Sequence, residues 1–139
     1  MNATAFADQA RAAVRDARGH LAQFGPDRPM DIGTEPWLAD QVSALFASLE
    51  AGSARFCPHV TASPMVLHTT AWTPGVLVCG HCAPQLRPAT DLEDSTCDRC
   101  RRYTRRIHSA ALAVGAVLLT FGLCPDCMTA HPDYQAATS

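Results

Sequence analysis

Apolar residues recur at helical spacing through the first third of the chain. Phe6, Ala10, Val14, Ala17, Leu21 and Phe24 follow one another at steps of three or four, which lines one helix face over about five turns. Thr4 can cap this helix, and Asp8, Arg11, Arg15 and Arg18 occupy its other face. Gly25-Pro26 ends it, and a polar loop leads to Glu35. Thr34 can cap a second helix with Pro36 in its first turn, where a missing N–H costs nothing. Trp37, Gln41, Leu45 and Leu49, flanked by Leu38, Val42 and Phe46, give that helix a broad apolar face, and Gly52 closes it. Such a pair packs on itself and on the rest of the fold, or offers a surface for a partner or a second copy.

Beyond residue 55 the pattern changes to short β-capable runs between turn residues. Met65 to His68 and Val76 to Val78 form one hairpin, turned at Thr73-Pro74-Gly75. Ile107 to Val114 and Ala116 to Phe121 form another, turned near Gly115. Short helices are predicted over 83–87 and 125–130. The expected fold class is α+β: an N-terminal helical pair followed by two small units, each built around a hairpin. The division is a helical region at 1–55, units at 56–87 and 97–131, a linker at 88–96 and a flexible tail at 132–139.

Length and composition restrict this picture. With 139 residues, 47% hydrophobic and 17% charged, the chain can bury roughly two-thirds of its extended surface. Twenty-four alanines and only nine aromatics make the core thin. Disorder, collagen and a large α/β enzyme are excluded. The longest greasy stretch, Ala110 to Leu119, has ten residues, well short of the roughly 20 a membrane crossing requires. The first residues reach Asp8 and Arg11 without the apolar run of an export signal. A cytoplasmic protein with no membrane contact is expected.

The chemistry lies in seven cysteines. They form Cys57-Pro58-His59, Cys79-Gly80-His81-Cys82, Cys97-Asp98-Arg99-Cys100 and Cys124-Pro125-Asp126-Cys127. A C-x-x-C knuckle puts two sulfurs on one side of a tight turn, and two knuckles complete a tetrahedron for Zn²⁺. Cys57, His59, Cys79, Cys82, Cys97, Cys100, Cys124 and Cys127 supply eight ligands, enough for two Zn²⁺ per chain, with no cysteine left over. Disulfides fit poorly with an odd count and no export signal. Iron–sulfur competes at the all-cysteine cluster, because tetrahedral thiolates suit it too.

Sequential pairing closes two short loops and matches the repeat, whereas a crossed pairing of first with third and second with fourth clusters stays open. His81 sits inside a knuckle with its ring expected outward, and His131, one turn beyond Cys127, is a reserve ligand. His20, His68 and His108 have no ligand partners at useful spacing.

Knuckle, hairpin and second knuckle at a helix start, over residues 56–131, resemble the treble-clef and zinc-ribbon class of zinc domains. That resemblance implies a structural metal, used for nucleic-acid contacts, protein contacts or occasionally catalysis. His59 departs from the commonest all-cysteine ribbon.

Two functions follow as expectations. Four candidates per site leave no open coordination position, and neither H-E-x-x-H nor G-x-S-x-G occurs, so the reading leans away from an enzyme. The first reading is a structural zinc protein acting as a protein-interaction or regulatory module, with self-association through the N-terminal helices as one form. The alternative is nucleic-acid binding by Arg99, Arg101, Arg102, Arg105 and Arg106, with Tyr103 available to stack on a base. The formal charge of −2 falls to about −5 once seven thiolates hold two Zn²⁺, which opposes a long duplex.

Overall fold

A computed structural model describes residues 3–22, 29–30 and 36–129. In chain order it contains α1 (Ala3–Ala22), β1 (Pro29–Met30), α2 (Pro36–Glu50), β2 (Arg55–Phe56), β3 (Leu67–Thr70) and β4 (Thr73–Val78). A 3₁₀ turn (Ala83–Gln85), α3 (Asp91–Asp94), β5 (His108–Val114), β6 (Val117–Leu123) and α4 (Pro125–Thr129) follow. The layout is α+β, as the pattern of the sequence predicts. Phe24, Gly25-Pro26, the loop to Glu35 apart from β1, the Thr34 cap, His131 and the tail at 132–139 lie outside the described residues.

The strands form a sheet in the order β1-β5-β6-β3-β4-β2. Each hairpin is antiparallel, and β3 runs parallel to β6 with Leu67 to Thr70 opposite Val117 to Thr120. That parallel ladder joins the two hairpins. β1 and β2 add parallel to the outer strands β5 and β4.

The β5–β6 turn is the two-residue Gly115-Ala116, with Gly115 at φ +58°, as a tight hairpin with glycine at its first central position requires. The β3–β4 turn differs from the sequence reading. It falls at Ala71-Trp72, and Thr73-Pro74-Gly75 lies inside β4. The Thr70 hydroxyl accepts the Thr73 N–H and meets the Thr73 hydroxyl, so a side-chain clasp fixes the reversal before proline and glycine are reached. Gly75, at φ +78° beside Ser48 of α2, lies in the stretch of β4 where its register with β3 shifts.

Alternation in the strands gives the sheet one strongly apolar face and one on which Ala111, Ala113 and Leu118 stand among Ser109, Thr120 and His68. Ala110, Leu112, Leu119, Phe121 and Leu123 share one face with Leu38 and Val42 of α2, and Trp37 meets Phe121 edge-on with ring centroids 5.4 Å apart. The opposite face includes Leu118 and its neighbour His68, and receives α1, which packs on β5 and β6. His20 of α1 meets the His68 ring at 6.0 Å. The two helices therefore take opposite faces of the sheet instead of pairing with each other.

On α1 the buried line is Ala13 and Ala17, and Phe6 at the start of the predicted stripe is 49% exposed. Small side chains let helix and sheet approach closely. On α2, Leu38, Val42 and Leu45 are buried, while Phe46 and Leu49 remain exposed. Gly52 ends α2 as expected. At φ +69° it donates to Leu49, and Ser53 donates back to Ser48, so the last carbonyls are satisfied by a left-handed cap.

Gly122 is where the end of β6 is most crowded. A Cβ there would stand 2.7 Å from the Ile107 Cγ2. Gly122→Ala is expected to lower stability by about 1–3 kcal/mol through overpacking, measured by denaturant unfolding.

Candidate metal centres

β2 delivers Cys57, and β4 delivers Cys79 directly after Val78. Cys82 lies at the start of the 3₁₀ turn, as its N–H donates to the Cys79 carbonyl. The Cys79 N–H donates to the Cys57 sulfur at 3.3 Å, and the His59 Nδ1 lies 3.2 Å from the Cys82 sulfur. Cys57, His59, Cys79 and Cys82 thus place four donor atoms within 4.8 Å of one another. Cys79 and Cys82 are buried, Cys57 is half-buried and His59 is exposed.

The second group comprises Cys97, Cys100, Cys124 and Cys127, also within 4.8 Å of one another. Cys124 follows β6 directly, and Cys127 lies on α4 with its N–H donating to the Cys124 sulfur. The Cys100 and Cys124 sulfurs are 3.8 Å apart. That matches the edge of a tetrahedron with metal–sulfur bonds of about 2.3 Å, roughly 3.8 Å, and it is far beyond the ~2.05 Å of a disulfide. All seven cysteines are free thiols. Both groups can hold a metal ion, and the grouping follows the sequential pairing.

β3 is parallel to β6 and antiparallel to β4. The C-terminal ends of β4 and β6, which carry Cys79 and Cys124, therefore point to opposite ends of the sheet. The second group is built into the main core beside Leu123 and Met128. The first has its own small cluster with Val78, Val76, Met65 and Leu86.

Electrostatics within each group mark it as a cation site. Donation from the Cys79 backbone, against the cost of burial, lowers Cys57 from an ordinary value near 9 to about 6. Burial and the neighbouring thiols push Cys82 up to about 11. In the second group burial pushes Cys100 up, but the Arg102 backbone N–H and guanidinium outweigh it and bring the thiol to about 6. Burial, then the neighbouring thiols, raise Cys127 strongly. Burial also raises Cys124, although the Cys127 N–H opposes it.

One thiolate is thus welcome in each group and the next is resisted, a conflict that a divalent ion removes. Without metal these shifts oppose one another in stability. The contribution of Cys57 and Cys100 is complete above pH ~9 and lost as pH falls through ~6. That of Cys82 is complete below pH ~9 and lost as pH rises through ~11.

Two residues that flank the donors of the second group carry no ligand signal. The Asp98 N–H donates to the Gly122 carbonyl, and the Gly122 N–H donates to the Asp98 carboxylate at 2.7 Å. This two-way latch fastens the Cys97–Cys100 knuckle to the strand that delivers Cys124. In the sequence Asp98 reads only as one more acid near the arginines. Arg101, the residue after the knuckle, is held at φ +62°. Glycine tolerates that region better than arginine does.

Arg101, Arg102, Arg105 and Arg106 are exposed, and two of them have neighbours that engage them. Arg101 is gripped by both Glu93 oxygens at 2.9 and 3.0 Å and lies 3.8 Å from Asp98. Arg102 donates to the Cys100 thiolate, which raises its own pKa. Arg105 and Arg106 are exposed, Arg99 is half-buried, and Tyr103 pairs with Thr96 in a β-bridge. His81 contacts the His59 ring at 5.7 Å and does not join the donor set. Glu93 belongs to α3, a single turn within 88–96 capped by the Thr90 hydroxyl. The signal Thr90-x-x-Glu93 for that cap stands in the sequence.

The chain matches no family model, no curated protein and no solved structure. No helix among the described residues is long and apolar enough to cross a membrane.

Asp98→Ala leaves the Gly122 N–H without an acceptor and is expected to cost about 1–3 kcal/mol. Asp98→Asn retains an oxygen acceptor and should recover most of that loss. Thermal unfolding of the three proteins compares them.

Proposed function

We propose that the chain is a structural zinc protein that holds two Zn²⁺ and works through contacts with another protein or a second copy of itself. The observation that carries this reading is the pair of four-donor groups, each within 4.8 Å, that together use every cysteine. Zinc fits a Cys₃His set and a Cys₄ set equally well, whereas imidazole in the first group disfavours an iron–sulfur cluster there. Free thiols throughout suit a reducing compartment, and so a cytoplasmic location. With four donors in each group there is no vacant position for a catalytic water.

Support for a contact role comes from α2, whose outer face presents Phe46 and Leu49 to solvent, and from exposed Phe56 beyond it. Support for nucleic acid is weaker, because Glu93 and the Cys100 thiolate already engage Arg101 and Arg102.

Protein purified without chelator should contain two zinc atoms per chain by elemental analysis, and less than one overturns the reading. Cys100→Ala should lose the second metal and keep the first. Bound metal depresses every ligand pKa in the folded state, so its stabilisation is complete near neutral pH and is lost on acidification. Acid titration should therefore release zinc together with loss of tertiary structure. Phe46→Ser with Leu49→Ser should abolish any self-association seen by light scattering while leaving the zinc content at two.

A further inference from the structure

The two centres differ in what reaches their sulfurs. Beside the first, a groove of about 440 Å³ lies against β2, β4 and the 3₁₀ turn. Arg55, Phe56, Val76 and Leu86 line it, and so do two of the ligands, Cys57 and Cys82. His59 lies on the solvent side of the same centre. The groups acting on Cys57 and Cys82 are peptide N–H donors, the His59 ring and neighbouring thiols.

The second centre also has a cleft, of about 220 Å³, but Arg102 lines it together with Tyr103, Cys124 and Asp126. The Arg102 guanidinium donates to the Cys100 sulfur, and its charge acts on Cys124 and Asp126 as well. A metal-held thiolate whose lone pair also accepts from a cation is a poorer nucleophile than one that accepts only from a neutral peptide N–H. Cys97 is fully buried, Cys124 and Cys127 belong to the main core, and Cys100 packs half-buried against them.

We propose that the first centre is a thiol-oxidation site, in which a hydroperoxide entering the groove links Cys57 to Cys82 and expels the metal, while Arg102 shields the second centre. The proposal rests on the zinc reading above. The Cys57 sulfur attacks the peroxide, forming S–O and breaking O–O, and the departing hydroxide of hydrogen peroxide, or alkoxide of an organic hydroperoxide, takes a proton to become water or an alcohol. The Cys82 sulfur then attacks that sulfur, forming S–S and releasing hydroxide, which also takes a proton. Two thiolates are oxidised by two electrons, one hydroperoxide is reduced, and the ion keeps only Cys79 and His59. The Cys57 and Cys82 sulfurs lie within 4.8 Å, so side-chain rotation can join them.

The order is opposite to what charge alone dictates. The all-thiolate centre carries one more negative charge and would react first if access and Arg102 did not intervene.

The test uses the full chain, shown by elemental analysis to hold two zinc atoms before hydrogen peroxide is added. A chromophoric chelator follows zinc release, and alkylation with mass spectrometry maps the thiols. The native protein should lose one zinc, show a Cys57–Cys82 bridge, and regain the metal with dithiothreitol and Zn²⁺. Arg102→Ala should lose both, and Arg102→Lys, which keeps the charge, should lose mainly one. Release of both metals together from the native protein overturns the proposal, as does a first bridge among Cys97, Cys100, Cys124 and Cys127. An Arg102→Ala second centre as resistant as the native one overturns it too. A chain that lacks two zinc atoms at the outset fails the zinc reading instead.

Discussion

The parallel ladder between β3 and β6 is the pairing that neither hairpin can make alone, and the rest of the molecule is arranged by it. It turns two small hairpins into one sheet with a face for each helix. Because β3 reverses into β4, it also sends the strands carrying Cys79 and Cys124 in opposite directions. The donor groups are consequently kept at opposite ends, and neither draws on the other's cysteines. A thin, alanine-rich sheet needs cover on both sides, and α1 and α2 provide it. Each helix answers to one face, which is why the two do not form a bundle.

The two donor groups stand differently in this arrangement. Cys97, Cys124 and Cys127 are core residues in the ordinary sense, packed with Leu123 and Met128 under the sheet. An ion there would tie the end of β6 to the preceding knuckle, a connection the Asp98–Gly122 latch already prepares. The first group closes a satellite cluster around Val78 and Leu86, braced from outside by the Trp72 indole donating to the Leu86 carbonyl. Its ion would order the segment around Cys57 and His59 and would leave the main core largely unaffected.

Much of this was legible in the sequence because it is local. Ligand spacing within a knuckle is set by a few backbone angles, so all eight donors could be named from composition and order. The left-handed glycines at Gly52 and Gly115 announced an end and a turn for the same reason. Long-range geometry was not legible. Nothing in Leu67 to Thr70 says that Val117 to Thr120 will lie beside it, since parallel partners are fixed by packing and not by a shared turn. The misplaced β3–β4 reversal has a narrower cause. Proline and glycine are strong turn signals, but the Thr70–Thr73 clasp acted two residues earlier. The arginine cluster looked continuous in one dimension, while folding brought Glu93 and Cys100 against two of its members.

The fit of α1 through alanine has a consequence for how the molecule opens. Ala13 and Ala17 bring the helix close to the sheet, yet a methyl group carries little apolar area, and the larger Phe6 stays in water. At roughly 0.8 kcal/mol per buried carbon, such a contact holds less firmly than the leucines and Trp37 of α2 on the other face. Of the two helices, α1 is therefore the one that separates from the sheet at the lower cost. Such a separation would bring Ala111 and Leu118, buried in the closed fold, into contact with solvent.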